Sequence, residues 1–204
     1  AAFNASHGGA VCDAVECRAS TLDDVTRIAR AVRAGDVATY VEIPVVDDPT
    51  PRIGALATHG LRAKIRAGGT TPGAFPPAAD VARFLGACVR ARVPFKATAG
   101  LHHPLRGEYR LTYDDGGITG PMFGFLNVLL ASALLRDGAR EQDAEALLME
   151  RDPAALRFGD DGVRWRDRLL LTARLVQLRD RGAVSFGSCS FAEPVDELSA
   201  LKLL

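Results

Sequence analysis

Lysine is scarce in this chain. Only three lysines occur among its 204 residues, whereas the other 22 of its 25 basic residues are arginine. Lys202 lies next to the end of the sequence, but Lys64 and Lys96 each stand at the end of a predicted β-strand. Because arginine supplies general charge everywhere else, these two positions indicate a need for a compact amine, whose pKa can fall on burial or which can form a Schiff base. The two lysines are therefore the first candidates for a functional site.

Excess charge of one sign, paired cysteines and long apolar runs are also missing. The 25 basic residues equal the 25 acidic ones in number, so neither a nucleic acid nor an anionic membrane is predicted as a partner. Cys12, Cys17, Cys88 and Cys189 lack the spacing of a zinc or iron–sulfur site and are expected to be idle thiols of a cytoplasmic protein. The longest apolar run, Met122–Leu135, is too short to span a bilayer. We therefore expect no metal and no other cofactor, a small anionic molecule as the ligand, and leave a homo-oligomer open.

Segments typical of strands alternate with segments typical of helices, which predicts parallel strands joined by crossover helices. The five predicted strands are Val15–Arg18, Ala38–Val46, Leu61–Ala67, Val93–Ala99 and Ala183–Phe191. A complete eightfold β/α barrel typically needs about 250 residues. The predicted fold is therefore α/β, a single domain over 1–204 with a parallel, TIM-like β/α barrel that is partial or truncated. A doubly wound open sheet is the alternative.

A helical insertion is predicted at about 121–181, before the last strand. Its first helix would begin at Pro121, because proline suits the first turn of a helix, and would end near Leu135. A second helix is expected from Glu141 to Glu150. A third is expected from Gly162 to Arg181, with Trp165 and a row of leucines directed into the core.

Polar side chains are expected to meet at one end of the sheet, where the carboxyl ends of parallel strands lie together. Alternate residues of a strand share a face, so Lys64 and Arg66 lie on one side, as do Lys96 and Thr98. The alternative to a functional role is that these basic residues form ion pairs with an acid such as Glu42. Such ion pairs would only stabilise the open end of the barrel. The predicted catalytic residues are Lys64, Lys96, Glu42, His102 and His103, and the predicted substrate-binding residues are Arg66, Gly68, Gly69, Thr98, Ser188 and Ser190.

The loops after two of the strands carry further signals. Gly68 and Gly69 could form a nest of backbone amides for an anion, although a plain turn explains them equally. His102 and His103 are adjacent, which does not suit joint ligation of one metal from a regular element. One of them is a candidate general acid or base, and hydrogen bonding within the loop is the alternative. Glu42 is a candidate base or a partner for a lysine.

Three short segments resemble the deoxyribose-phosphate aldolases, a family of β/α barrels with a Schiff-base lysine. Lys96-Ala-Thr-Ala-Gly-Leu101 is similar to the family's Lys-Ala-Ser-Gly-Gly-Ile, and Lys64-Ile-Arg-Ala-Gly68, 32 residues earlier, lies where the family has Lys-Thr-Ser-Thr-Gly. Phe186-Gly-Ser-Cys-Ser190 is similar to the family's last strand, Gly-Thr-Ser-Ser. The resemblance implies that Lys64 forms the Schiff base and that Lys96 lowers the pKa of its amine.

Four functions remain open from the sequence. The first is an aldolase-like lyase for a small anionic carbonyl compound, in which Arg66, where the family has serine, binds a carboxylate or phosphate and Glu42 or a histidine moves protons. The second is a transferase or isomerase, phosphoribosyltransferase-like, that uses Lys64, Arg66 and Lys96 as a charge clamp without covalent chemistry. The third is a metal-dependent lyase using Glu42 and the two adjacent histidines. The fourth is a non-catalytic protein that keeps a barrel fold.

Overall fold

A parallel sheet with helices beside it forms the centre of the chain. The computed structural model describes residues 2–6, 8–32 and 37–203. In chain order the elements are α1 (Ala2–Ser6), β1 (Ala14–Arg18), α2 (Leu22–Ala31), β2 (Ala38–Glu42), α3 (Thr50–Thr58), β3 (Arg62–Arg66), α4 (Ala78–Ala91), β4 (Phe95–Thr98), β5 (Gly107–Arg110), β6 (Thr119–Met122), α5 (Phe125–Arg136), α6 (Glu141–Leu148), β7 (Leu156–Gly159), β8 (Gly162–Trp165), β9 (Arg168–Leu171), α7 (Thr172–Arg181), β10 (Ala183–Gly187) and α8 (Ala192–Ala200).

The main sheet has the strand order β1-β2-β3-β4-β10, and every neighbouring pair is parallel. Because the chain advances across the sheet in one direction, right-handed crossovers bring α2, α3 and α4 onto the same face. The predicted α/β fold with parallel strands and crossover helices is confirmed. In the part of the chain that the structure describes, this sheet has five strands, with β1 and β10 as its two edges.

The helix-covered face of the sheet holds the hydrophobic core. Ile65 and Phe95 of the sheet belong to one buried cluster with Ile53 of α3 and Phe84 of α4. The rings of Phe84 and Phe95 meet edge to face, with their centroids 5.8 Å apart. In β3 and β4 the buried residues alternate with half-buried or exposed ones, as expected when only one face of a strand meets the core. This alternation leaves the polar residues on the other face.

The segment 121–181 is only partly helical. Pro121 lies in β6, and the first helix begins at Phe125, so the prediction of a helix start at Pro121 is wrong. The prediction of a helix from Gly162 to Arg181 is wrong in its first half, which forms β8 and β9 of an antiparallel three-stranded sheet. There the buried side chains of Val163 and Trp165 recur with the period of two of a strand. Only the part from Thr172 onward is helical.

A buried asparagine fastens the insertion to the loop that follows β4. The side chain of Asn127 on α5 is fully buried. Its amide donates to the backbone oxygens of Leu147 and Glu150 at 2.8 and 2.9 Å, and its oxygen accepts from the backbone N–H of Arg106 at 2.9 Å. Since every polar atom of this amide has a partner, its burial is stabilising rather than costly.

Among the described residues, no helix is both long and apolar enough to cross a lipid bilayer.

Candidate functional site

A row of charged side chains crosses the face of the sheet that the helices leave open. The strand register aligns Arg18 of β1 with Glu42 of β2, Glu42 with Lys64 of β3, and Lys64 with Lys96 of β4. Residues aligned across parallel strands point to the same face. Glu16, two residues before Arg18 on β1, therefore shares this face. We refer to Glu16, Arg18, Glu42, Lys64 and Lys96 as the charge ladder.

The charge ladder is a continuous chain of ion pairs. Lys64 Nζ lies 2.6 Å from Glu16 Oε2 and 3.0 Å from Glu42 Oε2. Glu16 also pairs through Oε1 with the Nζ of Lys96, and Arg18 Nη2 lies 2.9 Å from Glu42 Oε1. The side chains of Lys64 and Glu42 keep only 13% and 11% of their exposed surface. The two lysines that the sequence singles out thus meet through one carboxylate, on the same face of adjacent strands.

An aromatic ring forms the floor beside Lys96. Lys96 Nζ lies 5.1 Å from the centroid of the buried Tyr40 ring, a cation–π distance. The Tyr40 hydroxyl accepts a hydrogen bond of 2.9 Å from Arg62 Nη1. Lys96 is therefore held between a carboxylate and an aromatic face, and the phenol is held by a second cation.

The ion pairs change the acidity of the groups that form them. Hydrogen bonds from Lys64 and then Lys96 hold the pKa of Glu16 below its ordinary value. Burial alone would lower the pKa of Lys64, but its hydrogen bonds with Glu16 and Glu42 outweigh burial and raise it. Lys64 is therefore a stable ammonium at neutral pH, which differs from the lowered pKa that the resemblance implies. Nucleophilic chemistry at Lys64 requires a partner that takes up its proton.

A cleft of about 410 Å³ opens beside the ladder at the carboxyl ends of β1, β2 and β3. Arg18, Glu42, Arg66 and Phe75 lie in its wall. Within the described residues Arg66 makes no ion pair, and it is exposed. Together with Arg62 and Arg66, the ladder presents five cations and two carboxylates. The excess of positive charge on this face favours an anionic ligand.

The two glycines after β3 serve packing. Neither Gly68 nor Gly69 has the left-handed backbone conformation of an anion nest. A Cβ atom on Gly68 would collide with the Phe75 ring, and a Cβ on Gly100, which follows β4, would lie 2.7 Å from the same ring. Gly68 and Gly100 therefore both make room for Phe75, which lines the cleft. A turn that brings the Phe75 ring close to the backbone therefore explains Gly68.

The remaining predicted residues lie at the carboxyl ends of β4 and β10. Thr98, aligned with Arg66 in the register, donates to the backbone oxygen of Ile65 at 3.4 Å. His102 Nδ1 lies 2.9 Å from Ser188 Oγ. Ser190 Oγ accepts a hydrogen bond of 3.1 Å from the backbone N–H of Glu193 at the start of α8.

His103 packs apart from the ladder. Its Nδ1 lies 2.6 Å from Glu197 Oε1 of α8, and its ring stacks on Tyr109 of β5 with centroids 3.4 Å apart. These contacts tie α8 and the β5–β6 hairpin to the loop after β4. The structure therefore brings Lys64, Lys96 and Glu42 together, and gathers the histidines and serines in a second group.

A metal centre built on Glu42 and the two histidines finds no support in the geometry. Among the described residues, no group of three or more His, Cys, Asp and Glu side chains could hold a metal ion. The rings of His102 and His103 have centroids 6.3 Å apart, and the nearest carboxylates are those of Glu193 and Glu197 on α8.

Sequence reasoning missed Glu16, Arg18 and Tyr40. The signal for Glu16 and Arg18 was present, since both alternate with Val15 and Cys17 in a strand that the sequence identified. Their partners depend on the register between strands, which the sequence does not display. Tyr40 lies in the clearest predicted strand and reads there as an ordinary strand former.

Comparison of the chain with models of protein families, with curated proteins and with solved structures gives no match in any of the three. The function of this chain must therefore be inferred from its own side chains.

Proposed function

We propose that this chain is an aldolase-like lyase that acts on a small anionic carbonyl compound, with Lys64 as the amine that condenses with the carbonyl. The observation that carries the proposal is the contact of Lys64 with Glu16 and Glu42 beside a cationic cleft. An amine that forms a Schiff base needs a group to take its proton and a group to return one. Glu42, mostly buried and 3.0 Å away, meets that need.

The chemistry runs in balanced steps. Lys64 passes one proton to Glu42, and the neutral amine adds to the substrate carbonyl carbon. Glu42 returns its proton to the resulting hydroxyl, water leaves, and an iminium ion remains on Lys64. Glu42, now a carboxylate again, takes the proton of the hydroxyl group on the β carbon, and the electron pair of the bond between the α and β carbons moves into the iminium. The bond breaks, an aldehyde is released, and an enamine remains on Lys64. Glu42 gives its proton to the α carbon of the enamine, and water hydrolyses the iminium that results and restores the lysine.

Arg66 and Arg18 supply the binding charge in this proposal. Arg66 is exposed at the cleft, and a guanidinium can bind a carboxylate or phosphate through two parallel hydrogen bonds. Lys96 pairs with the other oxygen of Glu16 and so limits how much negative charge Glu16 offers to Lys64.

We further propose that the five strands are part of the wall of a TIM-like barrel, because the chain winds in one direction and leaves the polar face inward.

Reductive trapping tests the proposal. The chain is treated with sodium borohydride in the presence of pyruvate, glyoxylate or glycolaldehyde phosphate, and the modified peptide is identified by mass spectrometry. We expect a reduced adduct on Lys64 with at least one of these compounds, and none in Lys64→Met. Lys202→Met, at an exposed lysine outside the ladder, is the matched control and should trap as well as the unchanged chain. Absence of an adduct on Lys64 with all three compounds would contradict the proposal.

A second candidate function is a charge clamp for a phosphorylated substrate, as in a transferase or isomerase. One observation favours it, the raised pKa of Lys64 under the influence of its two carboxylates. Lys64→Arg separates the two candidates, because arginine keeps the charge but cannot form an imine. If the clamp is correct, Lys64→Arg keeps anion binding within about tenfold of the unchanged chain. If neither adduct nor anion binding is detected, a non-catalytic barrel protein remains.

A further inference from the structure

A second cleft, of about 360 Å³, lies between the loop after β4, the β5–β6 hairpin and the start of α8. It shares no lining residue with the first cleft. Its wall holds His102, Tyr113, Cys189 and Glu193 side by side, with Arg110 at its edge. These include a nucleophilic group, a proton acceptor and a proton donor, none of which the lyase proposal uses.

Cys189 is the exposed centre of this group. Its Sγ lies 3.5 Å from His102 Nδ1 and 3.7 Å from His102 Nε2. The Tyr113 hydroxyl lies 3.4 Å from the same sulfur and donates to Glu193 Oε2 at 2.9 Å. Ser188 Oγ lies 2.9 Å from His102 Nδ1, so a proton on Nδ1 has a partner and leaves Nε2 free to accept another. The sulfur thus has a proton acceptor on one side and a phenol on the other.

We infer that Cys189 and His102 form a thiol–imidazole pair that accepts an acyl group from a small activated ester or thioester. Thiolate chemistry of this kind needs a base within reach of the thiol and an open approach to the sulfur, and the cleft provides both. Arg110 offers a site for an anionic group on the acyl compound.

The step conserves atoms and electrons. His102 takes the thiol proton, and the sulfur adds to the acyl carbon. The bond from that carbon to the leaving alcohol or thiol breaks, and His102 gives its proton to the leaving group. The acyl group remains on Cys189 as a thioester, which water can later hydrolyse.

The surrounding groups suit these roles. Burial, the largest cause, lowers the pKa of His102 despite the nearby Glu193 carboxylate, so the ring is neutral at neutral pH and can accept a proton. Hydrogen bonds with Cys189 and Glu193 raise the pKa of Tyr113, so the phenol keeps its proton and can polarise an acyl oxygen. The other titratable or charged groups that line this cleft are His103, Tyr109, Arg110 and Glu193. Among the described residues no second cysteine lies beside Cys189, which disfavours a disulfide relay.

Two measurements on the full chain test the inference. In the first, iodoacetamide alkylation of each cysteine is followed by peptide mass spectrometry from about pH 5.5 to 9. Cys189 should react about tenfold faster than Cys12 near pH 6.5, because His102 lies within reach of the sulfur and can take the thiol proton as the sulfur attacks. Cys12, whose thiol donates to the backbone oxygen of Ala14 at 3.4 Å, is the internal control. In the second, 4-nitrophenyl acetate should release about one equivalent of 4-nitrophenolate rapidly and leave an acetyl group on Cys189.

Variants distinguish the pair from a merely accessible thiol. Cys189→Ala should abolish the burst, and His102→Asn should slow alkylation of Cys189 about tenfold while Cys12 keeps its rate. Tyr113→Phe, at an exposed position, should slow acetylation more than alkylation, because only the acyl reaction develops an oxyanion. Equal rates and equal pH profiles for Cys189 and Cys12, unchanged in Tyr113→Phe, would overturn the inference. Trapping on Lys64 should be unaffected by Cys189→Ala and by Tyr113→Phe, so the two proposals fail separately.

Discussion

At the scale of single residues, the decisive feature is the carboxylate of Glu16, which is shared by Lys64 and Lys96. Two ammonium groups on adjacent strands would repel each other if nothing lay between them. Glu16 removes that repulsion and holds both amines on one face of the sheet. The ladder therefore makes a stability contribution that depends on the ionisation of one glutamate.

Glu16→Gln should change how stability depends on pH. The pKa of Glu16 in the folded chain lies below the usual 4.5, so the stability that its charge adds is present above that value and is lost as pH falls through the lower folded pKa. Urea unfolding at about pH 7 and about pH 3.5 should show a smaller acid-induced loss in Glu16→Gln than in the unchanged chain. Asp23→Asn, on the exposed first turn of α2, is a control. Equal losses in Glu16→Gln and the unchanged chain would show that the ladder adds no stability.

At the scale of elements, local sequence sets where each helix and turn begins. The Thr21 side chain accepts from the backbone N–H of Asp24, while the Asp24 side chain accepts from the backbone N–H of Thr21, and this capping box starts α2. After β3, Gly68 allows the ring of Phe75, in the loop that follows, to lie against its backbone, because glycine has no side chain there. These features act within a few residues, or between one loop and the next.

Thr21→Ala should destabilise the chain by about 1 kcal/mol, because the first turn of α2 loses the acceptor for a free N–H group. Thr26→Ala is the matched control, since the Thr26 hydroxyl donates to the backbone oxygen of Leu22 within the same helix and caps no free N–H group at its start. Alanine has the higher helix propensity, so the control should be neutral or slightly stabilising. Chemical unfolding measures both changes, and a larger loss in the control than in Thr21→Ala would contradict the capping argument.

Gly68→Ala should lower the free energy of unfolding by about 1 to 3 kcal/mol, because the new methyl group displaces the Phe75 ring. It should also weaken ligand binding in the first cleft, which Phe75 lines. Gly73→Ala in the same loop meets nothing within 4 Å and should change the free energy of unfolding by no more than about 0.5 kcal/mol. Thermal unfolding of the two variants checks the contrast in stability, and anion titration of Gly68→Ala checks the loss of binding.

At the scale of the whole molecule, the single direction of winding divides the sheet into an apolar face under helices and a polar face that carries the ladder. The chain is neutral as a whole, with 25 basic and 25 acidic residues, yet this one face has an excess of cations. The charge that would recruit a ligand is thus a property of the fold and is absent from the composition.

Anion binding at this face should stabilise the folded chain. At ten times its Kd, pyrophosphate adds about 1.4 kcal/mol, which raises the Tm by about 3 to 5 °C for a chain of this length. Arg66→Ala should remove most of this shift, and Arg30→Ala, an exposed arginine on α2, should keep it. Differential scanning calorimetry with chloride at matched ionic strength isolates specific binding from general salt effects. A shift that is the same in both variants would contradict a site at Arg66.

Several features followed from the sequence because they depend on local periodicity. The parallel strands, the crossover helices and the common face of Lys64 and Arg66 could each be predicted from residues within one element. The strands β8 and β9 could not, because a short apolar run such as Leu169–Leu171 fits a buried helix and a strand equally well. Pairing with β7 and β8 decided in favour of the strand.

The sequence by itself determined that two rare lysines would lie in strands of a parallel sheet and that Lys64 would share a face with Arg66. The prediction that both lysines end their strands is wrong, since Lys64 is the third of the five residues of β3 and Lys96 the second of the four residues of β4. Only the tertiary structure decided that Glu16 joins the two amines and that His102 meets Cys189, 87 residues away in the chain. The reason is physical, since alternation within a strand is a short-range property of the backbone. Which residue lies opposite another on a neighbouring strand, or on a neighbouring loop, is fixed only when the whole core packs.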